Sequence, residues 1–285
     1  MNSLEALPQL TNLIGGYLTV TGLCSLRLFV TLFVFPPTGD TAMQGVVRNA
    51  LVIMFSGFVA YGQPVAFVES LHGALLVEVG LREALIGLAI GFGASVVFWV
   101  AEGAGVYVDD LTGYNNVQIS NPTRPESSTF ISTLLGQVAI TAFWALGGMT
   151  FLLDAVYESY HRWPLSATGP NIESVIEAFA IQQTDSLMQS VAKLAAPMVL
   201  LLLLIDFAFA FAERSASKLD LMTLSQPVKG AMAALMLALF VGLFVDQVVD
   251  QITLRDLSAR MRVLASPGAG AGADARAGAT TILSK

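Results

Sequence analysis

The chain has 285 residues, 55% of them hydrophobic and only 12% charged, and its mean hydropathy is +0.69. Soluble domains carry charge on about a quarter of their residues, so too little charge is present to coat a water-facing surface of this size. The formal charge of −7 argues against nucleic acid as a partner, because phosphate backbones are held by clustered cations.

A helix that crosses a hydrocarbon core of ~30 Å needs ~20 mostly apolar residues, and six stretches approach that length. The first runs from about Leu10 to Phe35 and is interrupted by Arg27. No Lys or Arg precedes Arg27, so the charged start of a signal peptide is missing and this segment is expected to be retained. The lone cysteine, Cys24, lies within it and reads as a small buried hydrophobe. Pro36-Pro37 and Gly39-Asp40 end the segment. The second stretch is Asn49 to Val68, and the third is Ala84 to Ala101, bounded by Glu83 and Glu102. Gly87 and Gly91 form a GxxxG pair inside the third, a spacing that brings two helices close together.

From Val106 to Ser128 the chain turns polar, with Asp109, Asp110, Gly113, Asn115, Asn116, Asn121, Pro122 and Pro125, and reads as a loop. The fourth apolar stretch is Ile131 to Leu153. A break from Trp163 to Gln183 follows, in which Ile172, Val175, Ile176 and Phe179 recur at helical spacing and predict a short amphipathic helix. The fifth stretch is Ala195 to Ala212, with Lys193 just before it and Asp206 inside it; the sixth is about Gly230 to Val245. The expected fold is therefore all-α: hairpins of about six long apolar helices, because unpaired strands would leave backbone groups unsatisfied in lipid. Residues 1–262 read as one helical-hairpin domain, and 263–285, Gly/Ala-rich, as a disordered tail. Five cations fall on each side of a six-span arrangement, so the positive-inside rule leaves the orientation undecided.

Catalytic chemistry finds no foothold. Metal or hydrolytic sites need converging His, Cys and carboxylate groups, whereas His72 and His161 stand alone and HExxH, CxxC and GxSxG are absent. No catalytic residue, cofactor or metal is expected. The polar residues inside apolar runs say more. Arg27, Lys193 and Asp206 would each cost at least ~2.5 kcal/mol at a bilayer centre unless paired or hydrated. They are expected to face protein or water, either in a structural ion pair such as Arg27 with Asp206 or along a hydrated passage. Arg214, Lys218 and Lys229 are candidates for contact with anionic headgroups.

The ordered marks along the chain carry a resemblance. They are Arg27 and Pro36; Arg82-Glu83 with Gly87; Glu102-Gly103 before Asp109 and Gly113; Asn121-Pro122 and Gly136. Ser159-Tyr160, Trp163-Pro164, Ala196-Pro197, Asp206 and Leu224-Ser225-Gln226-Pro227-Val228-Lys229 complete the set. In this order they resemble the T component of the type III secretion export apparatus, whose flagellar counterpart is FliR, over about residues 5–260. The Trp163-Pro164 stretch resembles the virulence branch more than the flagellar one, and Asn121 stands where the family often has an acidic residue.

The resemblance implies a subunit of the export gate at the bacterial inner membrane, spanning it several times. Its partners would be the R, S and U components, the large export-gate protein, the lipid membrane, and unfolded secreted proteins as cargo. It also implies that a loop of this subunit helps plug the channel before secretion. By position that loop is Val106–Ser128, with Asp109, Asp110, Gly113, Asn115, Asn116, Asn121 and Pro122 as plug candidates. Glu83, Gly87, Gly91, Gln226, Pro227 and Lys229 are candidates for interfaces. Two rival readings stay open on the residues alone: a small-solute permease, which should show an internal repeat around a polar midplane site, and an assembly scaffold that never lines a pore.

Overall fold

The computed structural model describes residues 3–40, 42–64, 73–113, 129–166, 182–215 and 225–239. Among them no strand occurs. The elements are α1 (Ser3–Val34), a 3₁₀ turn (Pro36–Thr38), α2 (Gly45–Tyr61), α3 (Ala74–Thr112), α4 (Phe130–Ala145), α5 (Gly148–Arg162), α6 (Gln182–Ser215) and α7 (residues 225–239). All six apolar stretches of the sequence have helices in them. By length and apolarity, α1, α3 and α6 could each cross a membrane, and the bent pair α4–α5 makes a fourth candidate. The short amphipathic helix expected around 172–179 and the Gly/Ala-rich tail lie outside the described residues.

Several boundaries differ from the sequence reading: α2 runs Gly45–Tyr61 rather than Asn49–Val68, α6 starts at Gln182 rather than Ala195, and three further differences have a physical reason. The third stretch does not stop at Glu83 and Glu102: α3 continues past both. A charge ends a span only if it must reach water, and Glu83 is buried against protein. At about 1.5 Å per residue α3 is about 58 Å long, nearly twice the hydrocarbon core. Second, the Val106–Thr112 part of the expected loop is the last two turns of α3. Third, the fourth stretch is broken: Gly147 takes a positive φ of +69°, and α4 and α5 meet at 75°.

The core is built around α3, which packs against α1, α4 and α6. Of its most apolar window 67% is buried, against 17% for α6, so α3 is the central helix and α6 a peripheral one. Phe35, Phe98 and Phe143 form an edge-to-face triangle with centroids 5.1–5.9 Å apart, joining the end of α1 to α3 and α4. The α1–α3 crossing rests on the GxxxG pair. A Cβ on Gly87 would enter the van der Waals shell of the Arg27 carbonyl oxygen, and one on Gly91 would lie 2.9 Å from that of Thr31. The Thr31 hydroxyl uses this closeness, lying 3.0 Å from the Gly87 carbonyl it donates to.

Candidate functional site

Among the described residues, two of the polar clusters that interrupt the apolar interior gather the separated marks of the sequence. The first lies where α1, α3 and α5 meet. The Arg27 guanidinium faces the Glu83 carboxylate side-on: Nε donates to Oε2 and Nη2 to Oε1, both at 2.8 Å. Nη1 donates to the Ser159 hydroxyl (2.9 Å) and Nη2 also to the Trp163 carbonyl (3.0 Å). The Tyr160 ring stacks 3.9 Å from the guanidinium carbon, and its hydroxyl donates to the Cys24 carbonyl at 2.6 Å. Both charged side chains are wholly buried. Desolvating two ions costs several kcal/mol each and is offset only where geometry and surrounding hydrogen bonds are good. Here four of the five guanidinium N–H donors meet acceptors among the described residues. Arg82 extends the cluster by donating to the Leu165 carbonyl at 2.6 Å.

This corrects the expected Arg27–Asp206 pair. Arg27 is held by Glu83, and Asp206 by Lys229. The reason is topological: α1 packs on α3, which carries Glu83, while Asp206 sits on α6, on the other hand of the central helix. Lys193, the third intramembrane candidate, is exposed on α6.

The second cluster lies at the two ends of the 114–128 segment. Asp109, in the last turn of α3, is fully buried. Its Oδ1 accepts the backbone N–H of Ile131 (3.1 Å) and its Oδ2 that of Ser132 (2.9 Å). The first N–H groups of a helix have no partner within it, and a carboxylate there is favoured by the helix dipole. Thr129, at the N-cap position of α4, makes no side-chain cap, so Asp109 caps α4 from the other side of the 114–128 segment. The two ends are thereby held at one point. Gly105, one turn earlier, allows this approach: a Cβ there would collide with the backbone of Ser132. Glu102 lies over Gly136 of α4.

The C-terminal end of α3 is met by α7. Gly113 terminates α3 in the left-handed region, φ +77°, where glycine is favoured because it has no Cβ to clash. The Gln226 side-chain amide rests on it, its carbon 2.8 Å from where a Cβ would stand. Lys229 Nζ donates to the Leu111 carbonyl (3.2 Å) and is ion-paired with Asp206 of α6. Asp206 is 39% exposed, so solvent screens that pair.

Apart from Lys193, the predicted residues fall in three groups. Asp109 and Gly113 stand together with Gln226 and Lys229 beside the 114–128 segment; Asp110, Gln226 and Pro227 are exposed, while Asp109 and Lys229 are buried. Glu83, Gly87 and Gly91 lie on the α1-facing side of α3 with Arg27. Asn115, Asn116, Asn121 and Pro122 lie outside the described residues. Sequence reasoning missed the capping role of Asp109 and the pairing of Arg27 with Glu83. The first carried no signal in the sequence, because Ser127, Ser128 and Thr129 already offer local caps for α4. The second was legible only as two opposite charges in apolar surroundings. Among the described residues, no group of three or more His, Cys, Asp and Glu could hold a metal.

A family model described as bacterial export proteins, family 1, matches residues 18–254. The "Yop proteins translocation protein T" of Yersinia pestis is 30% identical over 213 residues, covering 73% of this chain and 80% of that protein. The "Secretion system apparatus protein SsaT" of Salmonella typhimurium is 30% identical over 153 residues, 54% of this chain and 59% of that protein. The "Flagellar biosynthetic protein FliR" of Bacillus subtilis is 25% identical over 156 residues, 54% of this chain and 60% of that protein.

Proposed function

Because the chain belongs to family 1 of the bacterial export proteins, we propose that it is a subunit of the type III secretion export gate, in which the 114–128 segment helps close the channel entrance. The gate stands at the bacterial inner membrane, and its cargo is unfolded secreted protein. The R, S and U components and the large export-gate protein are its partners. The resemblance to a translocation protein and a secretion apparatus protein supports the virulence branch. Long apolar helices with large outward-facing side chains, among them Leu18, Phe58, Leu204, Phe207 and Phe211, suit burial in lipid or against other subunits.

The observation that carries the plug reading is the Asp109 clamp. A segment that must seal a pore and then move aside needs a fixed root and a free middle. Asp109 supplies the root by bonding the first turn of α4 from the last turn of α3. Opening and closing of this kind is conformational, so the subunit needs no covalent chemistry for it. Segments that move in function are drawn from the parts of a fold with few buried apolar contacts, and the asparagines Asn115, Asn116 and Asn121 fit that requirement.

The test is ion leakage through the membrane of resting cells that carry a deletion within residues 114–121, with assembly of the complex checked in the same strain. Leakage from an intact complex supports a plug. An intact complex that stays tight returns the segment to a plain connection and favours the assembly-scaffold reading.

A further inference from the structure

We infer that Gln226 and Lys229, at the start of α7, are positioning residues that fasten the root of the 114–128 segment to the C-terminal helix pair α6–α7. The consequence for sealing rests on the plug reading above; the fastening itself does not.

The last carbonyls of a helix have no partner within it and carry partial negative charge. At the end of α3, Leu111 is one of these, and the ammonium that meets it comes from a residue 118 positions away. Lys229 is nearly buried, and Asp206 holds the same ammonium from α6. The cation thus bridges three helices: α6 through a carboxylate, α3 through a carbonyl, and α7 through its own backbone.

Gln226 lies three residues earlier, on the same face of α7. Its amide covers Gly113, two residues after Leu111. One face of α7 therefore meets both the final turn of α3 and the residue at which the chain leaves it. Beyond Gly113, the Asp109 carboxylate ties this end to the returning end at Ile131 and Ser132. Shifting α7 away from α3 has to break the Lys229–Leu111 bond and lift Gln226 off Gly113. Of the three long apolar helices α1, α3 and α6, α6 is the least covered by the rest of the chain, so these two contacts hold it and α7 to the α3 end.

The experiment uses the complete assembled complex with Gln226→Ala, Lys229→Met and Lys229→Arg, each checked for intact assembly. Amide hydrogen exchange is read at Gly113, Ile131 and Ser132, and ion leakage in the corresponding resting cells. A hydrogen bond from a charged group contributes about as much as a tenfold change in local opening. Lys229→Met is therefore expected to speed exchange at Gly113 roughly tenfold, with Lys229→Arg restoring most of the protection. Gln226→Ala is expected to speed exchange at Gly113 more than at Ser132. Resting leakage is expected from Lys229→Met and Gln226→Ala. Unchanged exchange at Gly113 in both variants overturns the fastening, whatever the leakage. Faster exchange with no leakage, in a background where the loop deletion does leak, overturns its role in sealing. If the loop deletion itself does not leak, the plug reading fails, and the exchange result alone decides whether the two residues fasten the root.

Discussion

Arg27 and Glu83, on α1 and α3, share two hydrogen bonds of 2.8 Å with neither side chain open to solvent. Serine, tyrosine and a backbone carbonyl from the α5 end complete the shell. The arrangement ties together three helices that are distant in sequence, at the level where α1 and α3 cross most closely.

Removing one member leaves the other charged and buried. Glu83→Ala is expected to destabilise the chain by about 3–5 kcal/mol, seen as a lower thermal midpoint of the detergent-purified protein and as poor accumulation in membranes. The paired apolar replacement Arg27→Met with Glu83→Leu should lose much less. Equal loss in the single and the paired variants would show that the pair acts by more than charge compensation.

The α1–α3 crossing predicts a contrast between glycines. Gly87→Ala must push α1 away from α3, because the new Cβ meets backbone that cannot rotate aside. A cost of about 1–3 kcal/mol is expected. Gly22→Ala has open space around the added methyl and should be neutral or stabilising by up to ~1 kcal/mol. Thermal stability of the two variants side by side checks this.

Asp109 should behave as a helix cap acting across a loop. Asp109→Ala is expected to cost about 0.5–2 kcal/mol, concentrated at the start of α4. Faster amide exchange at Ile131 and Ser132, with α1 unchanged, is the expected pattern. Asp109→Asn keeps one acceptor oxygen where the carboxylate has two, so it should protect one of the two amides.

Gly147 offers a conformational test free of collision, since no atom lies within 4 Å of an added Cβ. Its φ of +69° is costly for alanine by about 1–2 kcal/mol and less so for asparagine. Gly147→Ala should therefore lower stability more than Gly147→Asn. The same stability for both would mean that the α4–α5 bend adjusts without the left-handed residue.

Several of these relationships could be read in part beforehand. The GxxxG spacing of Gly87 and Gly91 announced a close helix contact, because small residues at that period leave a flat stripe for another backbone. The need of Arg27 and Asp206 for partners was equally legible, since an unpaired charge in apolar surroundings is too costly to persist. Which partners they took was not. Both Glu83 and Lys229 satisfy the charge rule as well as any alternative, and only the packing order of the helices decides among them. Glu83 was further hidden by the assumption that a charge marks the end of a span.

The 106–128 region shows the same error at the other end of α3. Asp109, Asp110 and Gly113 look like loop residues by composition, yet the helix runs through to Thr112. Asp109 lies inside it because its carboxylate satisfies another helix's N–H groups, a use that local propensity cannot register.

By itself the sequence determined that this chain is helical and built on long apolar segments, and its ordered marks pointed to the export family. Those properties depend on composition, on the length of apolar runs and on order along one chain, all of which are local or additive. Tertiary structure alone decided that Arg27 belongs to Glu83, that Asp206 belongs to Lys229, and that Asp109, Gly113, Gln226 and Lys229 meet at one place. These depend on which helix lies beside which, and that is set by the summed packing of whole faces against the central α3.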